Sequence, residues 1–344
     1  MLTELPLRLS ISMPLCIALL AAPAPAQIDG LTAEITALDR TVGGRTLSTV
    51  RIYAAISDPL AQLNAVYGND DFPLLIQTSD GLGFYQNMLG GNISLQINPA
   101  IYQVDSDLRF DSWVALGSED MNGNGMLDVG IDYTPFNSAG DLATDNGTWL
   151  ELPFTAPCYP EDGRVLVAQL SVTSGETVSG TVNLFGKDAS GTTLDIPQQT
   201  FALEVGPLGS NYCSPAVPNS TGQSGRILAA GSGEAGQPLR LITDRLPIHQ
   251  FGAFIASTTQ GFVPGPGGSQ GNLCVLGNIA RFWSLVGSSG PWGEYAITVD
   301  TTAMPTSPAS TVLAGETWNF QFWYRDVNPS ATTNFTDAVS VTFL

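Results

Sequence analysis

Apolar and polar positions alternate in short runs along most of the chain. "STVRIYAAI" sets Val50, Ile52 and Ala54 against Arg51 and Tyr53, the period-two pattern of a strand with one buried face. "NISLQI" alternates less cleanly and is read as a further strand. "RVLVAQLSV" is a continuous apolar run between Asp162-Gly163 and Ser174-Gly175, as in a strand covered on both faces. "TVNLFG" after "SGETVSG" predicts a hairpin, and "TLDIPQQTFALEV" closes the first half near Gly206. The one stretch that reads as a helix is "DPLAQLNAVYG". Asp58 would cap it, Pro59 would be its first residue and Gly68 would stop it.

The same strand style returns after "VGPLGSNYCSPAVPNSTGQSG", an almost uncharged stretch rich in Pro, Gly, Ser and Asn that reads as a linker. "GRILAAGS", "PLRLITDRL", "FGAFIAS", "EYAITVD", "TWNFQFWYRD" and "DAVSVTFL" follow, separated by turn residues. Short strands at this spacing predict sandwiches. The expected fold class is all-β, with two β-sandwich (Ig- or jelly-roll-like) domains in tandem: 27–208 and 209–344.

The N-terminus predicts export. Arg8 precedes an apolar stretch from Leu9 to Ala22, and Ala24-Pro25-Ala26 is a small-residue cleavage site. A signal peptide over 1–26 would leave Gln27 as the first mature residue. The apolar run is broken by Pro14 and falls short of the roughly 20 residues of a membrane span. No later segment is long and apolar enough to cross a bilayer.

Composition sharpens the picture. Charged residues are 12% of the chain, against about 25% in an average globular protein. The 43% hydrophobic content is enough for full cores. Net charge is −19, and it is uneven. Residues 27–208 carry 6 basic and 23 acidic groups, a net of −17, and residues 209–344 carry 5 and 7, a net of −2. Nucleic acid is excluded as a partner, because phosphate binding needs basic surface. Cations suit the first half. Three cysteines follow the leader: Cys158, Cys213 and Cys274. Export permits a disulfide. A Cys213–Cys274 bridge within the second half would stabilise it by about 4 kcal/mol on the loop-entropy argument. Other pairings stay open on sequence grounds, and Cys158 would then be a leftover thiol.

In the second half, "YCSPAVPNSTGQSGRILAAGS", "FGAFIAS", "GSQGNLCVLGNIARF" and "AGETWNFQFWYRD…TNFTDAVSVTFL" resemble a C-terminal module of exported proteins from planctomycetes and similar marine bacteria. "DPLAQLNAVYGNDDFPL", "FYQN", "INPAIY", "DSWVALG" and "DGRVLVAQL" resemble a first module of the same proteins. The resemblance implies export, two β modules and a surface role. It carries no catalytic residues over, and Cys158 lies outside its pattern.

The best candidate for a metal site is "SEDMNGNGMLDVGIDY", in which Asp120, Asn122, Asn124 and Asp128 give D-x-N-x-N-G-x-x-D. Oxygens at alternate positions of a tight loop turn toward one point, and calcium takes six to eight of them. Ile131 stands where an EF-hand needs a bidentate Glu, and Asp132 follows it. The loop is therefore expected to be a short calcium loop between strands, with Asp120, Asn122, Asn124, Asp128 and Asp132 as ligands to a structural Ca2+. Nine carboxylates and a single cation, Arg109, lie between Asp105 and Asp145. The competing reading is a Gly/Asn turn with solvated carboxylates.

Catalysis has little to build on. His249 is the only histidine, and "GGSQG" around Ser269 sits in a Gly/Pro loop with His249 upstream rather than downstream, unlike a nucleophile elbow. There is no CxxC or His cluster for zinc. Paired carboxylates of the glycosidase kind are expected by chance in so acidic a chain. Sugar stacking has better candidates. In "TWNFQFWYRD", Trp318, Phe320, Phe322 and Tyr324 share one strand face, leaving Trp323 among Asn319, Gln321 and Arg325 on the other. Trp292, in "SSGPWGEY", is a second candidate ring. Packing under a loop or plugging a sandwich end is the alternative for both. Four N-x-S/T sequons (Asn92, Asn146, Asn219, Asn334) read as products of a composition rich in these residues.

The expected function is that of an exported, non-enzymatic surface or matrix protein, adhesive or envelope-associated and calcium-stabilised. A carbohydrate-binding protein is the alternative, and a polysaccharide-active hydrolase a more distant one. Expected partners are the cell envelope or extracellular polysaccharide.

Overall fold

The computed structural model describes residues 28–344; the expected leader lies outside them. The fold is all-β, and among the described residues the only helical pieces are 3-10 turns of three to five residues. In the first half, Ile28–Val42, Arg45–Ile56, Arg164–Thr173 and Trp113–Val114 form a four-stranded antiparallel sheet. A seven-stranded sheet faces it. At its centre Glu176–Lys187 pairs along its length with Thr193–Val205, and on its other side end to end with Gln62–Gly68 and Leu74–Thr78. Val50, Ile52, Val167 and Leu170 from one sheet meet Leu63, Val66, Ile76 and Leu184 from the other in one buried cluster.

Three expectations fail here, each for a tertiary reason. The predicted helix is a strand, Gln62–Gly68. Asp58 does cap, but it caps a turn, accepting from Leu60 N at 2.8 Å. Leu63 and Val66 are buried between two partner strands, and that burial outweighs local helix preference. "NISLQI" is a 3-10 turn, Ser94–Gln96, with Ile93 in an isolated bridge to Val114. Its Gln96 side chain folds back to accept from Asn92 N at 2.8 Å. The turn at Ser174-Gly175 does not make a hairpin, because Arg164–Thr173 and Glu176–Lys187 belong to opposite sheets. Both strands have sheet neighbours that each buries against, so the chain crosses the sandwich there.

The second half pairs Ser210–Tyr212, Ala331–Thr342, Thr317–Val327, Phe251–Ser257 and Ala280–Arg281 in one sheet, with Gly287–Ser288 also on Phe251–Ser257. Opposite lies a three-stranded sheet of Arg226–Ala230, Leu239–Asp244 and Tyr295–Val299. Trp318, Phe320, Phe322 and Tyr324 all point into this core, as their spacing predicts. A hairpin, Thr259–Pro264 with Asn272–Leu276, covers part of the outer face.

The three-stranded sheet belongs to both halves. Ile227, Ala229, Leu239 and Leu241 face the second core. Leu228, Ala230 and Ile242 join the cluster of the first half. "RILAA" and "LRLIT" are apolar on successive residues because both faces are covered. Ion pairs rim the contact. Asp244, almost fully buried, takes Arg226 at 2.5 Å and Arg40 at 3.0 Å. Arg40 and Arg109 both reach Glu294, at 2.6 and 2.5 Å, and Arg240 reaches Glu34 at 2.6 Å. Arg226 also donates to the carbonyls of Leu38 and Asp39.

Truncating Asp244 removes the carboxylate that two part-buried guanidiniums share, leaving Arg40 with Glu294 and Arg226 with the carbonyls of Leu38 and Asp39. Asp244→Ala is expected to cost about 2–3 kcal/mol, the loss of charge-assisted hydrogen bonds whose donors keep other partners. Chemical denaturation checks it; a loss below about 1 kcal/mol would mean that the pairs at this seam are structurally idle.

Candidate functional site

The acidic loop is built around Asn124. Its amide donates to Ser94 Oγ and to the Asp120 carbonyl, both at 2.9 Å, while its Oδ1 accepts from Met126 N. Asp120 Oδ1 accepts from Asn122 N at 2.8 Å. Met126 is buried in the first core and anchors the loop. Gly125 N donates to Glu151 at 3.1 Å, and a Cβ at 125 would stand 2.9 Å from that carboxylate. Glu151 is buried and was not among the sequence candidates; nothing in "WLELP" marks it. Asp128 lies exposed on the short strand Leu127–Val129. Burial, with the Asp128 charge beside it, raises the Tyr133 phenol above its ordinary value. Asp132 is exposed, and hydrogen bonding from the Thr134 side chain, with that from Thr134 N, lowers its pKa. Among the described residues, no three His, Cys, Asp or Glu side chains converge as a ligand set. The loop's shape is carried by its own side chain-to-backbone hydrogen bonds.

Trp323 lines an open groove of about 220 Å³ on the outer face of the second module. It stands between Ala253 and Phe335 on neighbouring strands. Ile255, Leu273 and Ile279 complete the apolar lining, with Arg281 and Trp283 alongside. Trp283 is 59% exposed and escaped sequence analysis, because "ARFWSL" has no clear period. The amides expected to flank Trp323 are not free. Gln321 is buried, accepting from Cys274 N at 2.9 Å and donating to the carbonyls of Asn272 and Thr336. Asn319 is buried too, accepting from Gln260. Both amides tie down the covering hairpin. The Cys213–Cys274 disulfide anchors the same hairpin, with 61 residues separating its ends in sequence.

Trp292 is not a free ring. It is half-buried at the seam, with the Arg109 guanidinium 4.4 Å from its ring centroid and Tyr102 edge-on at 6.4 Å. The ring packs on the other module. Cys158 is a buried thiol, 3.4 Å from the Asn64 amide and 3.3 Å from the Leu152 carbonyl. Ser269 Oγ donates to the Thr333 carbonyl and accepts from Gly271 N. His249 is an exposed turn residue whose backbone N donates to Gly290 O. Asn219 and Asn334 are buried and hydrogen-bonded, so neither sequon presents a free amide.

Two buried carboxylates stand apart from these surfaces. Asp111 accepts from Asn87 N at 2.6 Å and Gly91 N at 3.0 Å, pinning the loop between them. Burial outweighs these bonds and pushes its pKa to about 7. Asp337 accepts from Ile227 N and Asn211, and burial raises it to about 6.

No protein-family profile matches this chain, and no curated protein matches its sequence. Among solved structures, a tetra-tandem repeat in the extending region of a large adhesion protein aligns with 91% of this chain and 49% of that one, at 8% identity and a TM-score of 0.21. This chain thus spans about half the length of that protein. The C-terminal domain of the Streptococcus pyogenes antigen I/II-family protein AspA aligns with 92% of this chain and 100% of that one, at 11% identity and a TM-score of 0.18. Likenesses at these scores assign neither fold nor function.

The raised carboxylates set the pH dependence of folding. A folded-state pKa above the unfolded value means that the native protein holds its proton more tightly. The associated stability is complete below about pH 4 and is lost as pH rises through about 6–7. The melting temperature is therefore expected to rise as pH falls from 8 to 5. Asp111→Asn should flatten part of that slope, whatever it does to the absolute value. An identical slope in the variant would show that Asp111 titrates normally.

Proposed function

We propose that the protein is an exported, non-enzymatic surface or matrix protein, adhesive or envelope-associated, whose second module binds polysaccharide in the groove around Trp323. The groove carries the reading. An indole that is half-buried and held on a sheet, with a second, exposed indole and a guanidinium alongside, offers a rigid apolar platform with a polar edge. Sugar rings have the complementary form, with an apolar C–H face and a polar rim. Export is supported by the predicted leader and by a disulfide, which persists in oxidising compartments. The resemblance to exported planctomycete modules agrees with it. The serine that sequence offers for hydrolysis donates its hydroxyl to the Thr333 carbonyl, and His249 lies on an exposed turn.

The test is retention of residues 28–344 on immobilised polysaccharides and on the host's own envelope. Trp323→Ala and Trp283→Ala are each expected to weaken retention at least about 10-fold, as for a central aromatic contact. Retention on a polysaccharide that both variants preserve would move the binding site elsewhere. No retention on any surface would remove the binding role.

The reading includes calcium on the Asp120 loop. Its support is the D-x-N-x-N-G spacing and the density of carboxylates around it, which a divalent ion would relieve of repulsion. A ligand at 100 times its Kd stabilises the folded state by about 2.7 kcal/mol. Millimolar calcium is accordingly expected to raise the melting temperature by several degrees over chelator, and Asp120→Asn to abolish the rise. Equal melting temperatures in both buffers would remove calcium from the reading.

A further inference from the structure

Basic residues are scarce in this protein, yet four of the ten arginines in the described chain line one cavity. Arg40, Arg109, Arg226 and Arg245 surround a space of about 290 Å³ between the two halves. The acidic groups at hand are Asp39 and Glu294 in the lining and Asp244 behind it. Asp337 also acts on Arg226 by its charge, so four guanidiniums meet four carboxylates here, a rare concentration of positive groups in a chain of net charge −19.

Donor capacity is also left over. Asp244 is already taken by Arg226 and Arg40, and Arg245 lies 3.8 Å from it, beyond hydrogen-bonding distance. Arg245 is half exposed and holds a left-handed backbone conformation, with φ of 59°. Arg40 Nε is buried without a hydrogen-bond partner. The free donors of the accessible Arg245 guanidinium are what a carboxylate or sulfate group requires.

A second cavity, of about 240 Å³, shares Arg109, Phe110 and Glu294 as lining and adds Tyr102, Trp292 and Gln169. Each is smaller than the roughly 300–1,000 Å³ of a pocket for one drug-sized ligand. Two neighbouring depressions, one rich in guanidinium and one in aromatic rings, suit successive residues of a linear chain. We propose that this seam binds an acidic polysaccharide, its carboxylate or sulfate group seated on Arg245 and a neighbouring sugar in the adjoining depression that Tyr102 and Trp292 line. This extends the polysaccharide-binding reading to a second site that does not depend on Trp323.

The test measures affinity of residues 28–344 for a polyuronate, a sulfated galactan and a neutral glucan, all in chelator so that calcium bridging plays no part. Arg245 is accessible, and Arg245→Ala is expected to leave the melting temperature unchanged. It should weaken binding to an acidic polymer at least about 10-fold, while Trp323→Ala leaves that binding intact at the seam. Preference between polyuronate and galactan tells whether carboxylate or sulfate is the group recognised. Acidic-polymer binding insensitive to Arg245→Ala, or binding to the neutral glucan alone, overturns the seam site and leaves the Trp323 groove standing. Retention on a protein ligand through Arg245, with no polysaccharide bound, overturns it as well.

Discussion

A three-stranded sheet that is apolar on both faces organises this molecule. One face of Arg226–Ala230 and Leu239–Asp244 completes the second sandwich, and the other closes against Ile35 and Leu38 of the first. Leu228, Ala230 and Ile242 are covered by the first half, so the two halves meet through a packed apolar seam as well as through charge. The charge network follows from the same packing. Bringing two sheets together at this seam buries Asp244, and a buried carboxylate must be paired to remain charged. Arg40 and Arg226 pair it from opposite sides of the junction.

Much of the fold was legible because strand alternation survives wherever one face meets water. The Trp318-to-Tyr324 stripe is the clearest case. The misread elements share a cause. Gln62–Gly68 carries a capping Asp, a following Pro and helix-favouring Leu and Ala, and only pairing with two strands distant in sequence makes it extended. Ser174-Gly175 is a sound turn signal, but a turn does not say whether the next strand returns to the same sheet. The packing of the halves leaves a trace in the sequence: "RILAA" and "LRLIT" are apolar runs of the same type as "RVLVAQLSV".

The candidate surfaces were less legible, and for a different reason. Spacing places a side chain on a face but does not say what covers that face. Asn319 and Gln321 do lie beside Trp323, yet a hairpin anchored by Cys213–Cys274 occupies both amides, Asn319 with the Gln260 side chain and Gln321 with backbone groups. Trp292 was correctly placed in a loop, and the loop meets Arg109 from 183 positions earlier. Glu151 and Trp283 had no local signature at all.

The distribution of charge links these observations. The first half concentrates carboxylates on its loops, whereas arginines concentrate where the halves meet. Arg40 and Arg109 from the first half converge with Arg226 and Arg245 from the second. Long-range repulsion from a net charge of −19 is screened over about 8 Å at physiological salt. A guanidinium cluster recessed in a seam therefore acts on a bound group at contact range, largely independent of the overall charge. Arg40, Arg109 and Arg226 are held by the ion pairs that join the halves, whereas Arg245 stands at their edge with its donors free. The ion pairs that close the junction thus also line the cleft beside it.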